Sequence, residues 1–112
     1  MIDAKATLHR SDRVHRQMAA TLACSNDLAE RLRRTQMDFL EIDLALGRTF
    51  STTALQADDA EKRARNQRAA RKAFDTVLRF MGKVAATDGD AKRLKEDLSR
   101  LKRDLTALGE VF

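Results

Sequence analysis

Positions 61 to 74 read EKRARNQRAARKAF, a stretch with six basic residues, one acid and neither glycine nor proline. Guanidinium and ammonium groups bind phosphate oxygens, so this stretch could hold a nucleic-acid backbone or another anionic surface. If the stretch is helical, with about 100° per residue, five of the cations in and after it fall within about 60° of one another. We name these five the basic stripe: Arg65, Arg68, Lys72, Arg79 and Lys83. The sequence predicts an anionic or protein partner for this stripe.

The basic stripe also fits a second interpretation, in which it is only the solvated face of a helix. Arg and Lys are good helix formers, and a helix must be polar opposite its buried face. A solvated face, however, usually mixes both signs in i,i+4 pairs, and here Glu61 and Asp75 are the only acids near the row. Both interpretations stay open. If the stripe binds nucleic acid, Arg31, Arg33 and Arg34 could extend the surface.

The segment RNQRAARKAF, residues 65 to 74, resembles the basic region of basic leucine zipper proteins. In that family an Asn, a pair of Ala and a following Arg contact bases and phosphates from a helix in the major groove. Asn66 and the alanine pair after it have the family's spacing. The family continues with Ser or Cys and then Arg, whereas this chain has Ala73 and Phe74, and no leucine zipper follows in register. Since Phe74 falls on the apolar side, this helix is expected to pack inside a domain.

Residues for catalysis or metal binding are few. His9 and His15 are six apart, which puts them on different faces of a helix, and no Glu-x-x-His pair accompanies them. Cys24, the one cysteine, has no base beside it in the sequence and is interpreted as a small core or boundary residue. The sequence contains neither a glycine-rich phosphate loop nor a nucleophile elbow. We therefore expect no enzymatic activity, no metal, no cofactor and no small-molecule substrate.

The composition predicts that helices position these groups. Of the 112 residues 43% are hydrophobic, proline is absent and glycine occurs four times. This size and content predict one all-α domain over residues 1–112. The net charge of +5 permits nucleic acid, acidic protein or anionic lipid as a partner. No apolar run approaches the roughly 20 residues of a membrane span, and no signal-peptide core is present, so we expect a cytoplasmic protein.

The last helix has the clearest pattern. Six apolar residues recur at steps of 4, 3, 4, 3 and 4, the spacing of a coiled-coil seam, and predict a helix over about 90–110. We name them the leucine seam: Leu94, Leu98, Leu101, Leu105, Leu108 and Phe112. The leucine seam could pack against other helices of this chain or against a second copy. A tight connection precedes it at about 87–90, where Gly89 suits a turn.

The preceding segment predicts a helix over about 59–86. Asp58 or Asp59 would begin it, since Asp58 with Glu61 has the form of a capping box. Its apolar residues gather within an arc of about 120°, which is the expected buried face. They are Ala70, Phe74, Val77, Leu78, Met81, Val84 and Ala85.

The N-terminal half predicts helices over about 4–24 and 27–57, either separate or continuous through the poor helix formers at 25–27. Its apolar residues follow one helical face for most of this length. They are Val14, Met18, Leu22, Leu28, Leu32, Phe39, Ile42, Leu46 and Phe50. The whole chain is therefore expected to be a small antiparallel bundle of three or four helices, built on a long helical hairpin.

Part of this hairpin resembles a tetratricopeptide unit. Leu46, Gly47 and Phe50 resemble the Leu-Gly-x-x-Tyr of its first helix, and its second helix has an Ala-x-x-x-Tyr-x-x-Ala pattern that resembles Ala70, Phe74 and Val77. The resemblance implies a close helix approach at Gly47 and a contact between Phe50 and Phe74. The sequence thus predicts a helical protein-interaction protein, an adaptor, scaffold or regulator, with a protein partner or self-association. The alternative is a nucleic-acid-binding protein that reads no sequence and uses the basic stripe.

Overall fold

The computed structural model describes the backbone of residues 4–112 and the side chains of residues 12–112. It contains three helices: α1 (Ala4–Gln56), α2 (Ala60–Met81) and α3 (Asp88–Ala107). The described residues form no strand, which confirms the all-α prediction, and the number of helices is three. The chain divides into two compact units, Met1–Leu32 and Arg33–Phe112. The single domain expected over residues 1–112 stays a prediction.

α1 continues through residues 25–27 because its polar side chains are satisfied along the helix surface. Asp27 forms an i,i+4 ion pair with Arg31 at 3.0 Å, so its carboxylate does not cap a new helix. Further along, the hydroxyls of Thr49 and Thr53 donate to backbone carbonyls one turn earlier. These hydroxyls are bonded within the helix and do not cap or break it at 51–53, and α1 continues to Gln56.

α2 begins where the carboxylate of Asp59 caps it, at one of the two expected positions. This carboxylate accepts the backbone N–H groups of Glu61 and Lys62, both at 3.2 Å. The capping box expected at Asp58 does not form, because its neighbour takes this role. The helix ends at Met81 rather than near 86, because Gly82 caps it and is a poor helix former.

α3 begins after Thr87, whose hydroxyl accepts the backbone N–H of Asp90 at 3.2 Å. Gly89 therefore lies in the first turn of α3 and not in the connection before it. The helix ends at Ala107, before the expected 110, in a Schellman motif. There the N–H of Glu110 donates to the carbonyl of Leu105, and Gly109 has a φ of 98°, which only glycine adopts readily.

The core of the second unit joins all three helices. Five members of the leucine seam, Leu94 to Leu108, are buried in it, and Phe112 is exposed by 46%. The seam therefore packs against helices of the same chain. The remaining buried apolar residues are Met37, Leu40, Leu44 and Ala54 of α1 and Ala70, Ala73, Phe74 and Val77 of α2.

Two details of this core differ from the sequence analysis. Leu78 and Ala85 are exposed, since Leu78 lies at the edge of the apolar arc and Ala85 follows the end of α2. The ring that meets Phe74 edge-on is that of Phe112, with centroids 4.9 Å apart, whereas Phe50 lies at the margin of the core. The close approach expected at Gly47 is confirmed: a Cβ there would lie 3.0 Å from that of Ala73.

No helix within residues 4–112 combines the length and the apolar character that crossing a membrane requires.

Candidate functional site

Four residues of the basic stripe lie on the exposed face of α2. Arg65, Arg68, Lys72 and Arg79 are all exposed, opposite the buried residues Ala70 and Val77. With a rise of about 1.5 Å per residue, this part of the stripe extends for about 21 Å along the helix. It could contact several successive phosphates or carboxylates.

Three of these cations share one groove. Arg68, Lys72 and Arg79 line it together with Arg71, Asp75, Thr76 and Glu110. The one acid on α2 in this groove is already paired, because the Nε of Arg71 lies 3.1 Å from a carboxylate oxygen of Asp75. Among the described residues none forms an ion pair with Arg68, Lys72 or Arg79. Their charge is available to a ligand.

Lys83 does not lie with the rest of the basic stripe. α2 ends at Met81, so the helical register that would align Lys83 no longer applies. Its Nζ lies 5.2 Å from the ring centre of Phe80 and borders a different, mostly apolar groove. That groove has a volume of about 520 Å³ and is lined by Thr35, Gln36, Phe39, Leu40, Phe80, Lys83 and Val84.

The three arginines expected to extend the basic surface are mostly engaged elsewhere. Arg31 is paired with Asp27, and Arg33 lies 3.3 Å from a carboxylate oxygen of Asp90 on α3. Arg34 is exposed. Since Arg33 is largely covered, it acts in the packing of α1 against α3 and adds little to a surface for anions.

Asp90 lies at the centre of a cluster of charged side chains in the second unit. Its carboxylate accepts hydrogen bonds from Arg93, Thr87 and Arg33, and these bonds lower its pKa. The hydrogen bond with Asp90 in turn raises the pKa of Arg93, which also lies 3.8 Å from Glu41 of α1. This cluster links α1 to α3, and its charges are mutually satisfied.

The residues considered for metal or thiol chemistry do not form a site in the described part of the chain. His15 and Cys24 are exposed, so the interpretation of Cys24 as a core residue is wrong. The side chain of His9 lies outside the described residues. Within the described part of the chain no three His, Cys, Asp or Glu side chains form a group that could hold a metal ion.

Two rows of exposed apolar side chains on α1 are the feature that the sequence analysis missed. In the first unit we name the N-terminal apolar row, whose members are between 51% and 63% exposed: Val14, Met18, Leu22, Leu28 and Leu32. In the second unit we name the central apolar row: Phe39, Ile42 and Leu46, which are 56%, 61% and 48% exposed. Both rows present large apolar groups to solvent.

A signal for the central apolar row is present in the sequence. Phe39, Ile42 and Leu46 follow steps of three and four, the spacing of a helix-pairing seam. Met37, Leu40 and Leu44, which are buried, lie about 140° away around the same helix. α1 therefore has two apolar faces in the second unit, whereas the sequence pattern was interpreted as a single face.

These surfaces offer two kinds of chemistry. The groove of α2 could bind anions through unpaired cations, and the rows on α1 could bind apolar side chains of another helix. Comparison with protein-family models, with curated proteins and with solved structures gave no match. The function is therefore inferred from the surfaces themselves.

Proposed function

We propose that this chain is a protein-interaction protein, with an adaptor, scaffold or regulatory role, and that its central apolar row binds an amphipathic helix of a partner. The observation that carries this proposal is the exposure of Phe39, Ile42 and Leu46 in a row on one side of α1. Burying each such side chain stabilises a complex by up to about 1.5–3 kcal/mol. A contiguous apolar row of this kind is typical of a site for another helix.

The groove beside this row indicates what the partner helix carries. Phe39 forms one wall, and Phe80 and Val84 form the other. Among the lining residues only Lys83, which is exposed, carries a charge. A partner helix that is apolar on one face and has an acidic residue beside that face would fill the groove and pair with Lys83.

The proposal can be tested with a displayed library of helical peptides. Binders are selected on the full chain and then measured against two variants, Ile42→Glu and Leu55→Glu. Leu55 is also an exposed leucine of α1, but it points about 160° away from the central apolar row, so the same kind of change serves as the control.

We expect the selected peptides to be acidic and amphipathic and to lose at least about tenfold in affinity with Ile42→Glu, since a charge would be buried in an apolar site. Leu55→Glu should leave the affinity unchanged. Failure to select any binder, or equal loss in both variants, would contradict the proposal. Chemical-shift changes on Phe39 and Phe80 would identify the groove directly.

Binding of nucleic acid without sequence specificity is a second candidate function. The specific observation in its favour is the groove of Arg68, Lys72 and Arg79, whose cations lack ion-pair partners among the described residues. Such a surface would bind mainly through phosphates, because cations line it and no aromatic side chain is present on which a base could stack. The affinity would then depend steeply on salt.

We further propose that the protein acts without enzymatic activity, without a cofactor and without a small-molecule substrate. It would also reside in the cytoplasm, where a free exposed thiol such as that of Cys24 stays reduced.

A further inference from the structure

The N-terminal apolar row is exposed along its whole length. Every side chain from Asp12 to Leu32 is exposed, so this part of α1 buries no apolar face within the chain. Helices in proteins derive most of their stability from packing such a face, and isolated helical segments are marginal in water. The row therefore indicates that another helix covers it.

We propose that the occupant is a second copy of this chain, bound antiparallel along residues 14–32. This inference rests on the proposed function only in assuming that exposed apolar side chains of α1 bind helices. When this segment is lettered as heptads from a to g, position a is occupied by Met18, Ser25 and Leu32. Position d is occupied by Val14, Thr21 and Leu28. They form an unbroken seam with steps of 4, 3, 4, 3 and 4.

Antiparallel pairing about Ala23 makes this seam complementary to itself. Each a residue then meets a d residue of the second copy: Val14 faces Leu32, and Met18 faces Leu28. The two central layers pair Thr21 with Ser25. The apolar layers thus lie at both ends and the polar layers in the middle, and a shift by one heptad would break these matches.

The central polar layers can be buried without leaving the threonine unsatisfied. The hydroxyl of Thr21 already donates to the carbonyl of Gln17 at 2.9 Å, so its methyl group is free to face the second copy. Polar residues in a seam reduce affinity but define the register. We therefore expect a specific dimer of moderate affinity.

The residues flanking the seam favour the antiparallel direction. Leu22 is an e residue and is 63% exposed. In the antiparallel pair it faces Leu22 of the second copy and is covered, whereas in a parallel pair it would face Gln17.

The charges of this segment lie away from the proposed interface. At a, d, e and g positions from 14 to 32 only Arg31 carries a full charge, and it is a g residue that would face the neutral Gln17. The other charged residues of this region occupy the outer b, c and f positions: Asp12, Arg13, Arg16, Asp27 and Glu30. Two of the acids, Asp12 and Asp27, pair with arginines of their own helix at 3.0 Å. This segregation of charge fits a pairing of two identical helices.

Charge substitutions in the full chain test the pairing. Leu28→Glu should raise the dimer dissociation constant at least about tenfold in sedimentation velocity, because an apolar contact is lost in each half of the dimer. Met18→Lys should weaken the dimer similarly. The variant with both substitutions should recover most of the affinity, because only the antiparallel register places the new carboxylate at position 28 next to the new ammonium group at position 18 of the second copy.

A parallel pair would instead stack like charges in the variant with both substitutions, and its affinity would fall further. Circular dichroism and urea unfolding of the second unit control for folding of each variant.

Disulfide formation gives a separate readout of the register. Cys24 is a g residue next to the centre, so the antiparallel pair places it against Cys24 of the second copy, and oxidised glutathione should yield a covalent dimer. The variant Cys24→Ser with Ser25→Cys reports the parallel pair, in which a residues face themselves. It should oxidise to a dimer at least about tenfold more slowly than the native chain, because the thiols would lie in different layers.

Three outcomes would overturn the pairing. The first is a chain that stays monomeric up to about 200 µM, a concentration at which a Kd of about 10 µM would give mostly dimer. The second is faster oxidation of the Ser25→Cys variant than of the native chain, and the third is a dimer whose affinity Leu28→Glu leaves unchanged. Each is separable from failure of the proposed function, which depends on Phe39, Ile42 and Leu46 in the second unit. Peptide binding that Ile42→Glu abolishes in a monomeric chain would leave the proposed function intact and remove only the self-pairing.

Discussion

A Cβ on Gly47 of α1 would lie 2.9 Å from the Cδ2 atom of Leu101 on α3, and 3.0 Å from the Cβ of Ala73 on α2. Carbon atoms in favourable contact are about 3.5–4.0 Å apart. The absence of a side chain at position 47 therefore allows α1 to approach both other helices closely.

We predict that Gly47→Ala destabilises the second unit by about 1–3 kcal/mol, even though alanine is the better helix former by about 1 kcal/mol. Leu101 could shift its terminal methyl group, but the Cβ of Ala73 moves only with its backbone. Gly89→Ala is the control, since nothing lies within 4 Å of the added methyl group, and it should be neutral or slightly stabilising. Urea unfolding measures both, and a stabilising Gly47→Ala would refute the close packing.

Leu44 and Leu46 provide a test of the two apolar faces of α1. Leu44 is buried in the core and Leu46 is exposed by 48%, although they are two residues apart. Leu44→Ala should reduce the free energy of unfolding by about 2–5 kcal/mol, and Leu46→Ala by less than about 1 kcal/mol. Similar losses for both variants, from thermal or urea unfolding, would mean that Leu46 is covered.

The cluster around Asp90 predicts a loss of stability in acid. Hydrogen bonds from Arg93 and Thr87 lower the pKa of Asp90 in the folded protein below its ordinary value of 3.8. The ionised carboxylate of Asp90 therefore stabilises the fold fully above about pH 5. This stabilisation is lost as the pH falls through 3.8 towards the lower pKa of the folded protein, because the unfolded chain takes up the proton first. Urea unfolding between pH 2 and 6 should show a shallower acid slope for Asp90→Asn. An unchanged slope would assign the acid sensitivity to other carboxylates.

The groove on α2 predicts salt-dependent binding of nucleic acid. Fluorescence anisotropy with a labelled 30-base-pair duplex should give a log–log salt slope of about −3, if Arg68, Lys72 and Arg79 each contact a phosphate. Arg68→Glu with Lys72→Glu should abolish binding. A matched reversal of two exposed cations on α3, Lys95→Glu with Arg103→Glu, should have a smaller effect than the α2 pair. No binding at low salt would return the basic stripe to a solvated helix face.

Most of the helical framework could be predicted from local patterns. The leucine seam, the N-terminal cap at Asp59 and the close approach at Gly47 all follow from spacing and from the chemistry of single residues. The helix ends were less accurate, because Gly82 ends α2 early and Gly109 ends α3 in a Schellman motif. Four members of the basic stripe lie on one exposed face of α2, as the helical period requires, whereas Lys83 lies beyond the end of that helix.

The sequence by itself determined that the chain is helical, where its apolar residues recur and where cations gather, because these properties depend on residue type and on a fixed turn of about 100° per residue. Only the tertiary structure decided which apolar residues are covered. Leu44 and Leu46 have the same chemistry, but α2 and α3 pack on one side of α1 only, so one side chain is buried and the other is available to a partner. The same packing buries the five leucines of the leucine seam and leaves the central apolar row exposed.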